Sequence, residues 1–188
     1  MNSTRRIALI VAILLAGVLI GVFLARDRPR NASSQEVTPP DAQPFTAQLL
    51  ALTLPDTQGV MQPLRQWQGK LLVVNFWATW CAPCREEMPE FSLLQQKYAV
   101  KGVQFVGIAL DSADNVTDYS RQRPVAYPLL IANLAPMPIM MGLGNSSAGL
   151  PFTVILDRDS KLVRSRLGPW KAAALELVLA DLLRPASD

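Results

Sequence analysis

Two cysteines, Cys81 and Cys84, are the only thiols in the chain, and they stand in the run Trp77-Ala78-Thr79-Trp80-Cys81-Ala82-Pro83-Cys84. A pair at this spacing suits reversible dithiol and disulfide chemistry. An apolar run at 71–77 precedes it and an amphipathic one at 81–98 follows, which predicts a buried strand feeding a helix with the cysteines at the junction. The first amides of a helix lack intrahelical acceptors and carry partial positive charge, so a thiolate at Cys81 is stabilised there. Moving a thiol from about 8.5 to about 7 takes roughly 2 kcal/mol, within reach of a helix terminus and a few hydrogen bonds. Cys81 is therefore the expected nucleophile, and Cys84, one turn inward, the resolving thiol. Pro83 fits the first turn, where a missing amide costs least.

Other uses of the pair fit less well. The chain has no histidine, which removes Cys-His nucleophilic catalysis and histidine metal ligation together. A structural zinc site needs four Cys or His ligands and two are present. A c-type haem site wants His after the second Cys, and position 85 is Arg. A structural staple across two residues closes almost no loop and gains little unfolded-state entropy.

The elements that must hold this pair follow from the pattern of apolar residues. Residues 49–54 and 60–64, around the turn material 55–59, predict a short N-terminal hairpin. A second buried strand at 103–110 completes a right-handed βαβ unit with 71–77 and the helix. Residues 111–123 read as loop and polar helix with Asp114 as N-cap, 129–131 as a short strand, 152–156 and 162–167 as an antiparallel pair, and 171–183 as a closing helix. The sum is an α/β fold with a central sheet flanked by helices.

Residues 7–25 are nineteen consecutive residues without charge, about 28 Å as a helix and close to the hydrocarbon thickness of a bilayer. The segment 1–25 is expected to be an uncleaved signal anchor, since Phe23-Leu24-Ala25 runs straight into Arg26 without a cleavage-like pattern. Arginines flank both ends, so orientation follows from the signal-like start, which leaves the long C-terminal part outside the cytoplasm. Residues 26–44 hold four prolines among polar residues and read as a tether. Residues 45–188 form the expected catalytic domain. Of eighteen basic and fifteen acidic residues, five and three precede Phe45, so the domain is nearly neutral and carries no basic stripe for nucleic acid.

At this point the motifs carry a resemblance. Gly69-Lys70, the Asn75-to-Cys84 run, Arg85-Glu86-Glu87-Met88-Pro89 and Gly149-to-Asp157 resemble the membrane-anchored TlpA/ResA-like thiol-disulfide oxidoreductases of the thioredoxin superfamily. The resemblance implies a mixed central sheet and a cis peptide bond before Pro151, packed near the disulfide. It also implies that Leu150 offers backbone groups to a bound substrate strand, in the manner of β-augmentation. Asn75 stands where related thioredoxins carry a buried acid, and the resemblance implies that Glu87 lies near the cysteine pair instead, to accept the Cys84 proton or tune its pKa. Glu86 and Glu90 are expected on the solvated side of the helix, Trp80 over the active site and Trp77 in the core; Trp67 and Trp170 carry no functional signal.

Implied partners are disulfide-containing client proteins, apocytochrome c among them, and a membrane thiol-disulfide electron donor; no cofactor and no metal are implied. Phe152 departs from the Glu that dedicated cytochrome-maturation members carry after the cis-proline, which broadens the expected clients. The stretch 142–148 is a longer and more flexible approach to Pro151 than usual. The favoured reading is an extracytoplasmic reductase. A thiol oxidase or isomerase is the alternative, although Ala82-Pro83 lacks the histidine such enzymes carry between their cysteines. A redox-sensing or copper-handling binding module is a third reading, prompted by Met137, Met140 and Met141; the absence of histidine and the packing uses of Met weigh against copper.

Overall fold

The structure, a computed structural model, describes residues 42–184. The expected anchor at 1–25 and the tether up to residue 41 lie outside the described residues. Among the described residues no helix is long and apolar enough to cross a membrane.

The first element is a helix, α1 (Gln43–Ala51), where the sequence reading placed the end of the tether and the first strand. Its inward face is Thr46, Leu49 and Leu50, which is helical i, i+3, i+4 spacing. Thr46 hides that stripe because it is polar, yet its hydroxyl donates to the Gln43 carbonyl at 3.0 Å and so can be buried without loss. The hairpin survives in shorter form as β1 (Thr53–Pro55) and β2 (Met61–Pro63), paired antiparallel. Asp56 closes it by accepting the amides of Gln58 and Val60, each at 2.9 Å.

The main sheet contains β3 (Leu71–Trp77), β4 (Val103–Ala109), β5 (Leu129–Ile131), β6 (Phe152–Leu156) and β7 (Leu162–Leu167) in the order β5-β4-β3-β6-β7. β3 pairs parallel with β4 and antiparallel with β6, so the strand that leads to Cys81 lies at the centre. All seven of its residues are buried. That follows from helices on both faces, which demand a continuous apolar strand instead of an alternating one.

One face is covered by α2 (Ala82–Tyr98), α3 (Ala113–Gln122) and α5 (Ala172–Leu182); it packs Trp77, Phe91, Phe105, Val116, Leu175 and Leu179 together with both cysteines. The other face is covered by α1, the hairpin and α4 (Met137–Gly142), around Leu49, Phe76, Ile108, Leu130, Met140 and Phe152. Gly142 makes the α1–α4 contact possible, because a Cβ there would lie 2.2 Å from the Phe45 ring. Gly107 does the same on the first face: a Cβ would meet Leu129 at 2.7 Å and the Trp77 indole nitrogen at 3.1 Å.

The N-cap of α3 is Ser112, whose hydroxyl accepts the Asn115 amide at 3.3 Å; Asp114 sits within the first turn, where its charge suits the helix dipole. The approach to Pro151, expected as loose, is clamped. Asn145 is fully buried, and its amide donates to the Gly149 carbonyl at 2.8 Å while accepting the Gly149 N–H at 3.0 Å.

Candidate active site

Cys81 is the N-cap of α2, in extended backbone geometry, and its sulfur accepts the Cys84 amide at 3.3 Å. Cys81 and Cys84 are joined as a disulfide with their Cα atoms 5.3 Å apart. Cys84 is fully buried and Cys81 is 5% exposed, so the outer sulfur is the one a partner can reach. In the reduced state the same helix terminus would hold a Cys81 thiolate. Pro83 occupies the first turn of the helix. Trp80, next to Cys81, is 69% exposed, whereas Trp77 is fully buried with its ring centroid 5.0 Å from that of Tyr119.

The loop that presents Cys81 is tied down by a residue that no motif flagged. Asp111, just past β4, accepts the Thr79 amide at 3.1 Å and the Thr79 hydroxyl through one carboxylate oxygen. Its other oxygen accepts the Ser112 amide and the Asn115 side chain, each at 2.8 Å. Burial alone would raise the Asp111 carboxyl, but these four donors win and hold it below the usual carboxylate range.

The Leu150–Pro151 peptide bond is cis. Pro151 is buried, and its carbonyl accepts the Gly168 amide at 2.8 Å. Leu150 is half-buried and packs against the cluster that contains both cysteines. It lies outside β6, and among the described residues its amide and carbonyl make no backbone hydrogen bond.

Glu87 lies three residues after Cys84 on α2, hence on the same face of the helix. It is 4% exposed. Its Oε1 accepts the Asn75 side-chain amide at 2.9 Å, and its Oε2 accepts the Trp170 backbone N–H at 2.9 Å. Asn75 Nδ2 also reaches the Thr153 hydroxyl at 3.0 Å, across the β3–β6 pairing that places Asn75 opposite Thr153. Burial pushes the Glu87 carboxyl up to about 7, against the lowering effect of the Trp170 and Asn75 hydrogen bonds and the Arg166 charge. A carboxyl held there is suited to exchanging a proton near neutral pH, one helical turn from Cys84.

Glu86 is exposed as expected. Glu90 is exposed too, but it is not simply solvated: its Oε2 accepts the Ala172 amide at 3.1 Å, capping α5, whose own N-cap residue Lys171 offers no side-chain bond. Thus Glu87 and Glu90 together bind the chain entering α5, and Trp170 acquires a role through its backbone. Thr153, Asp111 and the Trp170 amide escaped the sequence reading. Met140 is fully buried and Met137 packs against the same core, which is a packing use, while Met141 is exposed. Among the described residues no group of three or more Cys, Asp or Glu is placed to hold a metal ion.

This geometry has relatives. The Redoxin family profile matches residues 37–179. Thiol-disulfide oxidoreductase ResA of Bacillus cereus is 32% identical over 123 residues, which cover 64% of this chain and 68% of that one. Thiol:disulfide interchange protein HelX of Rhodobacter capsulatus is 27% identical over 169 residues, 89% of each chain. Among solved structures, a putative thiol:disulfide interchange protein DsbE from Chlorobium tepidum superposes with a TM-score of 0.63 at 28% identity, covering 71% of this chain and 93% of that one. A thioredoxin-related protein from Neisseria meningitidis serogroup B does so with 0.60 at 34% identity, covering 69% and 97%. With a cysteine pair at the head of α2 and a cis-proline before β6, the chain belongs to the redoxin family of the thioredoxin superfamily and is a ResA-like thiol-disulfide oxidoreductase.

Proposed function

We propose that this oxidoreductase is a reductant of disulfides in proteins outside the cytoplasm, held at the inner membrane by residues 7–25 and the tether that follows them. The observation that carries the dithiol exchange is Glu87, a buried carboxyl with a pKa near 7 one helical turn from Cys84; the reducing direction follows the resemblance to the ResA-like oxidoreductases. The Cys81 thiolate attacks one sulfur of a client disulfide; the client S–S bond breaks, a mixed disulfide forms, and the other client sulfur leaves as a thiolate that takes a proton from water. Cys84 then gives its proton to Glu87 and attacks Cys81 Sγ, which releases the second client thiolate and closes the Cys81–Cys84 disulfide. Two electrons have passed to the client. A membrane dithiol donor returns them, and Glu87 returns the proton to Cys84.

Leu150 and Pro151 supply the docking edge. A client strand laid against the free backbone groups of Leu150 aligns its sulfur with Cys81, and Trp80 offers exposed apolar surface beside it. Apocytochrome c fits as one client class by resemblance, and Phe152, where dedicated cytochrome-maturation members carry Glu, supports a broader range. The burial of Met140 favours packing over the copper-handling alternative.

The trapping experiment tests this directly. Cys84→Ser produced in cells accumulates covalent adducts with client proteins that dissolve on adding dithiothreitol, whereas Cys81→Ser forms none. Recovery of no adduct from Cys84→Ser would overturn the catalytic assignment.

A further inference from the structure

Pro169 and Trp170 share one peptide group, and both of its polar ends are held. Its N–H, on Trp170, donates to Glu87 Oε2 at 2.9 Å, and its carbonyl, on Pro169, accepts the Nε–H of Arg166 at 3.2 Å. A trans peptide group points these two bonds in opposite directions, so this one lies as a short relay between a guanidinium and the buried carboxyl. The guanidinium is seated on the Trp170 ring, 5.6 Å from its centroid. That ring is 2% exposed and forms a fixed platform for it.

The turn that carries this peptide group is tied on either side of it. Gly168 stands at φ 89°, a left-handed conformation that a side chain resists, and its N–H donates to the Pro151 carbonyl at 2.8 Å. Beyond the group, the Ala172 N–H donates to Glu90 Oε2 at 3.1 Å. Pro169 has a fixed φ and no N–H of its own. Between these ties, Arg166 and Glu87 set the tilt of the 169–170 peptide plane. Tilt matters, because a hydrogen bond weakens steeply away from linearity and an aligned donor favours the charged form of a carboxylate. Of the groups that face Glu87, the Trp170 N–H, the Asn75 side chain and the Arg166 charge favour the carboxylate, whereas burial and Glu90 on α2 favour the acid. The Tyr127 phenol, which burial pushes up, and the disulfide-bonded Cys84 carry no charge.

We propose that Arg166 is a positioning residue for proton transfer at Cys84: by holding the Pro169 carbonyl it keeps the Trp170 N–H on Glu87 Oε2, so that a carboxylate is available when Cys84 attacks. This rests on Glu87 as the proton acceptor argued above. Arg166 touches neither sulfur in this role. It acts through one peptide group, from the strand β7 at the edge of the sheet to the carboxyl beneath its centre. Two substitutions separate its parts. Arg166→Met keeps the length of the side chain and removes both donor and charge. Arg166→Gln removes the charge but keeps an N–H donor at the place of Nε.

In the oxidised full-length chain in detergent micelles, hydrogen exchange at the Trp170 amide should be roughly tenfold faster in Arg166→Met, while the Val74 amide at the centre of the sheet keeps its wild-type rate. Arg166→Gln should return Trp170 to the wild-type rate. The reduced chain is then mixed with dithionitrobenzoate in a stopped-flow instrument. Cys81 breaks the probe's S–S bond and releases one thionitrobenzoate; Cys84 attacks Cys81 Sγ and releases the second. The pH midpoint of the second phase should move up by about one unit in Arg166→Met and by less in Arg166→Gln, with the first phase unchanged. Unchanged Trp170 exchange in Arg166→Met, equal acceleration at Trp170 and Val74, or exchange in Arg166→Gln as fast as in Arg166→Met overturns the positioning role. Failure of the functional reading looks different: Glu87→Gln would then release the second thionitrobenzoate at the wild-type rate at every pH, whatever Arg166 does.

Discussion

At the scale of single residues, the proposed cycle runs on two sulfurs and one carboxyl, and the carboxyl is the part with a pH signature. The folded state holds Glu87 near 7 against an ordinary glutamate value of 4.5, so the folded protein binds this proton more tightly than the unfolded chain. Below about 4.5 both states carry it and it contributes nothing to stability; as pH rises the unfolded chain releases it first, and above about 7 the folded state bears a penalty of order 3 kcal/mol. Glu87→Gln keeps the shape and removes the charge. Urea unfolding of the oxidised protein should therefore show the variant more stable than wild type, by up to about 3 kcal/mol at pH 8, with the gain vanishing near pH 4. An equal difference at both pH values would mean that the carboxyl is not strained by its burial.

Elements place these residues, and they divide what the sequence made legible from what it hid. The cysteine pair, the strand before it and the helix after it are local, and Glu87 is readable as the residue one turn beyond Cys84. Its partners are not local. Thr153 reaches Asn75 because β6 pairs with β3 in one register, 78 residues away in sequence, and the Trp170 contribution is a backbone N–H that any residue could supply. In α1, the polar Thr46 sits in the buried stripe and breaks the apolar period, so a helix looked like a strand. The 142–148 segment, rich in Gly and Ser, looked loose because nothing in its composition reveals that Asn145 points inward and bonds both backbone groups of Gly149.

Asp111 belongs to the same class. Its charge sits at the end of β4, while its effect falls on the loop after β3. Asp111→Ala leaves the Thr79, Ser112 and Asn115 donors without their shared acceptor and should cost about 1–3 kcal/mol in urea unfolding, with faster hydrogen exchange at the Thr79 amide. A loss under about 0.5 kcal/mol, typical of an inert surface position, would show that the latch does not hold the loop.

At the scale of the whole molecule, the chain divides by charge and hydropathy. Residues before Phe45 carry five basic and three acidic groups around an uncharged run of nineteen, while the rest holds thirteen and twelve. A near-neutral oxidoreductase domain on a long apolar leader fits a single-pass anchor. The full-length protein should remain in the membrane pellet after alkaline extraction, and a chain lacking residues 7–25 should leave it; release of the full-length protein would remove the anchor from the account.

The reducing role remains the central claim, and the reduction potential of the Cys81–Cys84 pair tests it most directly. The full-length protein, equilibrated against defined dithiothreitol and glutathione buffers at neutral pH, should poise at or below roughly −230 mV, so that it gives electrons to clients and needs a dedicated donor; a value near roughly −120 mV would make it an oxidant and contradict the reading.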